Sequence, residues 1–480
     1  MNKARIESYA LSALSGLMLA GAFAPFGRAW LAWAALAPLL YAVISSHGPA
    51  AAARRGAAAG LVFYCISLSW MPNVVGWMAP LFWCIFALWP ALFAALSKAL
   101  YTHMEGHGIN EPRALLWTLA AGLNWAGLEY FRSELWPLEC PWLCLGYSQA
   151  YSHAVYQTLS VWGVYGLSAL IAACGAAIAL LPRRRFPWLP AAVCAAALVV
   201  SVSWGRRRLE TQRAENGRPV KVALVQAENS DIAKLARLSL TPEAAAADLL
   251  VWPEYSVYLP SAGSEPYIRH IAAALKRSRS TAVIGAVVMP DKARGVERAN
   301  FTLMLDGAKK PIGRYDKMHP VQFVESGLRG NRRPAPVDTP AARLAPQICY
   351  DLAFEDGSRL MARQGGELLV TPTLDPAEWG ELQHRQHSDM TSARAVETGL
   401  WAVRAASSGW SQVVDRFGFT RAELAPGREG ALCATAWAAP GGTFYTRYGW
   451  LFAPLAFLFL LASSLFAFRE RLANLLKSFR

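Results

Sequence analysis

Charged residues are scarce in this chain. Asp, Glu, Lys and Arg together make up 17% of its 480 residues, whereas 54% of the residues are hydrophobic. This balance excludes an ordinary soluble protein, yet it carries more charge than a pure transmembrane bundle. The composition therefore indicates membrane-spanning helices joined to a soluble domain.

Cysteine is also rare, with eight residues in the chain. Four lie within apolar runs, where a thiol behaves as a small apolar side chain: Cys65, Cys84, Cys174 and Cys194. Cys140 and Cys144 share the loop "ECPWLCLGY", where a disulfide is one possibility, although Pro141 restricts the loop. The polar region after residue 219 holds only Cys349 and Cys433, which excludes a disulfide scaffold.

Metal-binding, nucleic-acid-binding and serine-hydrolase motifs are missing as well. His103 and His107 in "HMEGH" superficially suggest a metal pair, but the glutamate is misplaced for the zinc-protease pattern. No Ser-His-Asp set or nucleophile elbow is visible. We expect neither a metal nor another cofactor, and no nucleic-acid partner.

Long apolar runs are abundant, by contrast. A helix that crosses a membrane needs about 20 mostly apolar residues. Seven such runs precede residue 206: 8–25, 29–46, 56–73, 77–98, 114–131, 155–182 and 187–205. An eighth covers 449–468. These runs predict a membrane domain over residues 1–206 and an eighth transmembrane helix close to the end of the sequence.

Positive charges mark alternate ends of these runs. They are Lys3 and Arg5 before the first run, Arg54 and Arg55 after the second, Lys98 and Arg113 after the fourth, Arg183, Arg184 and Arg185 after the sixth, and Arg469, Arg471, Lys477 and Arg480 after the eighth. By the positive-inside rule, these segments, including the basic tail at 469–480, are predicted to be cytoplasmic. We therefore expect a multi-pass inner-membrane protein whose region 219–440 lies on the periplasmic side. Much of the net charge of +14 then comes from basic residues that set the orientation of the chain in the membrane.

The region 219–440 has a different pattern. Short β-branched runs alternate with amphipathic segments, as in an α/β domain. Three strand-like runs each end in a reactive residue: "ADLLVWPEYS" in Glu254, "GRYDKMHPVQFVE" in Lys317 and "LAPQICYD" in Cys349. Sites in α/β sheets lie where strands end, and Pro253 marks such an end. We expect the three side chains to converge.

A carboxylate, an ammonium group and a thiol together form an acyl-transfer set. A free thiol has a pKa of about 8.5, so it needs activation before it can act as a nucleophile. Glu254 can take the proton of Cys349, while Lys317 can stabilise the thiolate and an oxyanion. Taken singly, the thiol is equally well explained as buried packing, the carboxylate as the start of a helix and the lysine as a solvated charge. Three such residues in order at strand ends favour a site.

These segments carry a family resemblance. "LLVWPE", "GRYDKMHPVQFVE" and "ICYD" resemble the Glu, Lys and Cys blocks of the nitrilase superfamily. "FAPFG" at 23–27, "PWLCLGYSQ" at 141–149, "VWGVYGLSALI" at 161–171, "RAVETGLWAVRAASSGWSQVVDRFG" at 394–418 and "TFYTRYGW" at 443–450 resemble the apolipoprotein N-acyltransferase family. The resemblance extends over nearly the full length. It implies an eight-helix membrane domain with an inserted nitrilase-like α-β-β-α sandwich.

The resemblance also implies a reaction. Cys349 would take an acyl chain from a phospholipid as a thioester, with Glu254 as general base and Lys317 at the oxyanion. The α-amine of a diacylglyceryl-modified lipoprotein cysteine would then receive the acyl chain in a ping-pong mechanism that needs no cofactor. The enzyme is expected to act as a monomer. Supporting roles are implied for four further residues: Glu325, Tyr350, Asp351 and His387.

Some positions depart from the family pattern. Asp351 stands where the family has a glutamate, and Gln322 and Val324 replace a proline and a glycine. These changes keep two alternatives open. The chain could be a membrane-tethered nitrilase-like amidase that uses water as acceptor, or a catalytically silent relative that binds lipid or lipoprotein.

Overall fold

A computed structural model describes most of the chain. The described residues are 3–182, 187–260, 265–291, 296–328 and 330–478, with side chains as far as Arg469. The chain divides into two compact units. The first comprises Met1–Arg208 and Gly449–Arg480, and the second comprises Leu209–Tyr448.

The first unit is helical. Its helices are α1 (Lys3–Ala22), α2 (Ala32–Ile44), α3 (Pro49–Ser67), α4 (Pro72–Val75), α5 (Ala79–Gly106), α6 (Glu111–Tyr130), α7 (His153–Tyr156), α8 (Leu159–Leu180), α9 (Trp188–Thr211) and α16 (Phe452–Ser478). Alanine and leucine, the best helix formers, dominate these segments. The helices pack closely through small residues. A Cβ on Gly56 would lie 2.2 Å from the Pro90 carbonyl oxygen, and one on Gly122 would lie 2.6 Å from that of Ala169.

Four helical stretches in the described chain are long and apolar enough to cross a membrane: Pro72–Gly106, Leu159–Leu180, Trp188–Thr211 and Gly449–Arg469. Helices α1, α3 and α6 have 20, 19 and 20 residues, but they contain charged residues or much alanine and glycine. Helix α2 has 13 residues. The membrane character of this unit thus rests on four stretches, and the count of eight spanning helices stays a prediction.

Several helix boundaries differ from the apolar runs. Helix α3 begins at Pro49, seven residues before the predicted run at 56–73, because "PAAAARRGAAAG" favours a helix without being strongly apolar.

Cys140 and Cys144 are both free, so the possible disulfide is not formed. Instead Arg132 donates to the Cys144 sulfur over 3.4 Å.

The second unit contains two β-sheets, which confirms the predicted α/β region. Its strands are β1 (Arg218–Gln226), β2 (Leu249–Val251), β3 (Val257–Leu259), β4 (Thr281–Val288), β5 (Ala299–Leu305), β6 (Pro311–Asp316), β7 (Val337–Asp338), β8 (Arg343–Pro346), β9 (Leu368–Thr373), β10 (Trp401–Ala406), β11 (Ser411–Val414), β12 (Thr420–Leu424) and β13 (Gly430–Ala438). The first sheet has the order β13-β1-β2-β4-β5-β6, with β3 beside β4. The second has the order β12-β11-β10-β9-β8-β7.

Helices cover both outer faces of the two sheets. They are α10 (Ile232–Ser239), α11 (Pro242–Ala245), α12 (Glu265–Ala274), α13 (Glu355–Arg363), α14 (Glu381–Thr398) and α15 (Phe444–Arg447). Strand β1 shows the layering, because successive side chains point to opposite faces. Val222 packs into a core shared with the second sheet, while Val225 packs against α10 and α12. Helices α13 and α14 lie on the second sheet. The resulting layer order is helix, sheet, sheet, helix.

Candidate active site

Glu254 lies just beyond the end of β2. The Trp252 N–H still donates to Val283 O in the neighbouring strand at 2.9 Å, and Pro253 then ends the pairing. The Glu254 carboxylate is buried, and both of its oxygens are occupied. Oε1 accepts from Lys317 Nζ at 2.9 Å, and Oε2 accepts from the Leu374 N–H at 2.9 Å. The carboxylate therefore joins the two sheets.

Lys317 directly follows β6 and lies between two carboxylates. Its ammonium group is 2.9 Å from Glu254 Oε1 and 2.8 Å from Glu325 Oε2, and all three side chains are almost fully buried. Burial alone would lower the pKa of Lys317, but the neighbouring anions, Glu254 first, outweigh it and raise the pKa well above its usual value. The lysine is thus a fixed cation at neutral pH.

Asn300, near the start of β5, was missed by the sequence analysis. Its Nδ2 donates to Glu254 Oε1 and to Glu325 Oε1, both at 2.7 Å. This amide keeps the two carboxylates in place around one lysine. A single asparagine inside "ANFTLML" has no distinctive sequence pattern, although a polar residue in an otherwise apolar strand is a weak signal.

Cys349 lies after β8, at the start of a short 3₁₀ turn formed by Cys349–Ala353. Its backbone has a positive φ of 48°, an uncommon conformation for a residue other than glycine. The sulfur is 3.6 Å from the carbonyl oxygen of Leu374, the residue whose N–H binds Glu254. The thiol and Glu254 thus meet at the same backbone segment. Lys317 Nζ donates to the other oxygen of the carboxylate that accepts from Leu374, so the ammonium group also lies beside this segment.

Burial sets the protonation state of this thiol. Loss of hydration raises the pKa of Cys349 well above its usual value, Glu254 adds to the rise, and Lys317 opposes it without overcoming it. The resting sulfur is therefore a neutral thiol. It becomes a nucleophile only when its proton is removed as the new bond forms.

Asp351 holds the turn that carries Cys349. Its Oδ1 accepts from the backbone N–H groups of Met318 and His319 at 3.0 and 2.6 Å, and its Oδ2 accepts from Ile348 N–H at 3.0 Å and Tyr315 O–H at 2.9 Å. The side chain is completely buried. One carboxylate thereby ties the cysteine turn to the segment that follows Lys317.

We expect Asp351→Asn to destabilise the protein and to slow its reaction. Each oxygen accepts two hydrogen bonds, so an amide group in either orientation sets its own N–H against other N–H donors. The expected loss is on the order of 3 kcal/mol in the free energy of unfolding. Thermal unfolding would measure it, with Asp338→Asn, at an exposed strand position, as the control. An unfolding midpoint unchanged from the wild type would contradict this role.

His387, on α14, lies on the other side of the cysteine turn. Its Nε2 is 3.3 Å from the Cys349 carbonyl oxygen, and its Nδ1 is 3.0 Å from Asp375 Oδ1. Arg404 donates to the second oxygen of Asp375, and all three side chains are buried. Burial lowers the pKa of His387, so its imidazole is neutral at neutral pH. Asp375 and Arg404 had no role in the sequence analysis.

The structure thus brings five of the seven predicted site residues together around the cysteine turn. Glu254, Lys317 and Glu325 contact one another directly, whereas Cys349 and Asp351 join them through backbone groups of Leu374 and Met318. His387 reaches that turn through the Cys349 carbonyl group. Tyr350 is adjacent to the nucleophile candidate in sequence, but its ring packs edge-on against Phe354 with centroids 5.0 Å apart.

In the described part of the chain, no group of three or more His, Cys, Asp or Glu side chains is arranged to hold a metal ion.

Two family models match this chain, one in each of the two units. The family model for the apolipoprotein N-acyltransferase N-terminal domain matches residues 15–177, and the model for carbon-nitrogen hydrolases matches residues 221–436. The carbon-nitrogen hydrolase from Helicobacter pylori G27 is similar at 18% identity, with a TM-score of 0.39, over 45% of this chain and 89% of that chain.

Two relatives are similar over almost the whole chain. The apolipoprotein N-acyltransferase of Gloeobacter violaceus is 29% identical over 92% of this chain and 90% of its own length. That of Geobacter metallireducens is 30% identical over 93% of this chain and 92% of its own length. Because the likeness spans both the helical unit and the two-sheet unit, the chain belongs to the apolipoprotein N-acyltransferase family.

Proposed function

We propose that this chain transfers an acyl chain from a phospholipid to the α-amine of a lipoprotein's diacylglyceryl-modified N-terminal cysteine. Membership of its family makes it an acyltransferase. The observation that carries the proposed mechanism is the meeting of Glu254 and the Cys349 thiol at Leu374, beside the Lys317 ammonium group.

The proposed first half-reaction acylates Cys349. Glu254 removes the thiol proton while the sulfur attacks the ester carbonyl carbon of the phospholipid. Lys317 stabilises the negative charge that develops on the carbonyl oxygen. Collapse of the tetrahedral intermediate breaks the ester C–O bond, and the departing lysophospholipid oxygen takes the proton back from Glu254. The acyl chain remains as a thioester.

The second half-reaction transfers the acyl chain to the amine. An α-amine has a pKa of about 7.7–8.0, so part of it is free base at neutral pH. It attacks the thioester carbonyl carbon, Glu254 takes a proton from the nitrogen, and the C–S bond breaks. That proton returns to the sulfur, which leaves an amide product and a neutral thiol.

The two carboxylates beside Lys317 differ in a way that supports these roles. Burial raises the pKa of Glu254, and the charge of Lys317 does not fully offset it. Burial also acts to raise the pKa of Glu325, but there the Lys317 charge prevails and lowers it. Glu254 also accepts from the N–H of Leu374, the residue whose carbonyl oxygen the Cys349 sulfur approaches. We assign proton transfer to Glu254 and the positioning of Lys317 to Glu325.

The remaining residues are proposed to act through Cys349. Asp351 holds the cysteine turn against the Lys317 segment, and His387 fixes the Cys349 carbonyl group from the opposite side. Tyr350 is proposed as a supporting residue because it directly follows the nucleophile in the sequence.

The membrane arrangement is also part of the proposal. It comprises seven helices in residues 1–206, a catalytic domain at 219–440 on the periplasmic side, an eighth helix at 449–468 and a cytoplasmic tail at 469–480. The alternation of basic residues along the helical unit supports it. A periplasm-active reporter fused after Arg218 should be active, and one fused after Arg480 inactive. The reverse pattern would contradict this arrangement.

A two-step mass measurement tests the reaction. Incubation with phospholipid should add the mass of one acyl chain to the peptide that contains Cys349, and a diacylglyceryl-cysteine peptide should then discharge it as an amide. Discharge to free fatty acid in the presence of that peptide would favour the amidase alternative. Absence of any thioester would favour the catalytically silent one.

A further inference from the structure

Four large apolar side chains are exposed on segments that adjoin the candidate site. Tyr258, Met289, Phe323 and Val324 are 60%, 51%, 62% and 42% exposed. Single exposed apolar residues are normal, but these four lie on adjoining segments. Tyr258 pairs with Val287 of β4, and Met289 lies just beyond the end of that strand. Phe323 and Val324 immediately precede Glu325 in the sequence. We call these four side chains the apolar rim.

Arg298 lies within the same group. It precedes β5, whose first residue Ala299 pairs with Val288, so the arginine lies across from Met289. Its Nη1 donates to the Val324 carbonyl oxygen at 3.3 Å, and its Nη2 donates to the Tyr255 hydroxyl oxygen at 3.1 Å. Its Nε is buried and has no hydrogen-bond partner among the described residues. The guanidinium group is thus held by two contacts, and each Nη atom has a second N–H that these contacts do not use.

A continuous set of contacts links Arg298 to the reacting groups. The Tyr255 hydroxyl that accepts from Arg298 donates to Glu325 Oε1 at 3.0 Å, and Glu325 contacts the Lys317 ammonium group at 2.8 Å. Tyr255 and Phe323 both have a positive φ, 57° and 66°. Strained backbone persists where the surrounding structure enforces it, often at ligand sites. Arg298 and the apolar rim are therefore held at a defined position beside the catalytic cluster.

We propose that Arg298 binds the phosphodiester of the glycerophospholipid donor, and that the apolar rim holds the first carbons of its acyl chain. This inference rests on the proposed function and names the group that selects the donor. An arginine fork matches phosphate geometry and stays charged at every physiological pH. In a glycerophospholipid, the phosphate lies a few covalent bonds from the ester carbonyl that Cys349 would attack. A cation and an apolar surface beside the nucleophile complement these two parts of one molecule.

The charge of Arg298 favours this donor over the acceptor. The acceptor brings a free amine, which is partly protonated at neutral pH and would be repelled by a guanidinium group. The donor brings an anion. Occupation of the rim by the acceptor would appear in the experiment as an effect of Arg298 confined to the second half-reaction.

The experiment compares two acyl donors with the full-length protein in detergent micelles. One donor is dioleoyl phosphatidylglycerol, and the other is p-nitrophenyl palmitate, which has an acyl chain but no phosphate. The rate of thioester formation on Cys349 is measured for wild type, Arg298→Gln, Arg298→Lys and a control, Arg277→Gln. The control removes the same charge from an exposed position of the same unit.

We expect Arg298→Gln to raise the KM for the phospholipid about tenfold, the effect of losing one hydrogen bond to a charged group. The change with p-nitrophenyl palmitate should be several-fold smaller, and Arg298→Lys should recover part of the loss because it restores the charge. The control should behave as wild type with both donors. Phe323→Ala provides a second measurement and should weaken binding of p-nitrophenyl palmitate more than that of p-nitrophenyl butyrate.

Four results would overturn the inference. An equal loss with both donors would mean that Arg298 only supports Glu325 through Tyr255. An unchanged KM for the phospholipid, or an effect seen only in the second half-reaction, would exclude binding of the donor phosphate. If wild-type protein forms no thioester with either donor, the proposed function itself is wrong, and this donor site fails with it.

Discussion

Replacing Cys349 by serine is expected to abolish acyl-enzyme formation, with a loss of about 10⁴-fold or more in the transfer rate. The buried site already raises the pKa of the thiol, and a hydroxyl group is far harder to deprotonate. Glu254 can accept a proton from sulfur as the new bond forms, but it is much too weak a base for an alkoxide. Cys349→Ala should show the same loss.

The appropriate control is Cys433→Ser, since Cys433 is an exposed cysteine on β13 in the same unit. Intact-protein mass spectrometry and the rate of amide formation would report both half-reactions. Thioester on the control protein, together with none on Cys349→Ser, is the expected pattern. Amide formation by Cys349→Ser at a rate near that of wild type would rule out the acyl-enzyme mechanism.

Glu254→Gln is expected to lower the acylation rate by about 10²–10⁴-fold, the usual contribution of a general base. Glutamine cannot take the thiol proton. Its side-chain amide would also place N–H donors against the Leu374 N–H or the Lys317 ammonium group, both of which now donate to Glu254. The fall in rate should therefore accompany a fall in thioester yield at early times.

The pH dependence separates a base from a merely structural residue. Glu254 must be ionised to accept the proton, so the wild-type rate should fall as the pH decreases through the pKa of Glu254. Burial raises that pKa, which places the decline above the ordinary glutamate value of about 4.3. The decline should disappear in Glu254→Gln and persist in Glu243→Gln, at an exposed position. Persistence of the decline in Glu254→Gln would mean that another group is the base.

The sequence by itself determined the parts of this protein that depend on local pattern. Apolar runs indicated the helical unit, and alternating β-branched runs indicated the α/β unit, because both patterns follow from side-chain spacing along a single element. Glu254, Lys317 and Cys349 were identifiable because each follows the end of a strand-like run. Helix boundaries such as Pro49 were missed because alanine and glycine form helices without a strong apolar signal.

Only the tertiary structure decided how these residues are arranged. Asn300 and Arg404 lie within strands, where one polar residue cannot be distinguished from ordinary packing until its partners are known. Asp351 bonds to groups more than thirty residues away in the chain, so its role emerges only when the segments meet. The protonation of Cys349 likewise depends on burial between two sheets. Burial and hydrogen bonding are properties of groups that folding brings together from distant positions, and no local pattern encodes them.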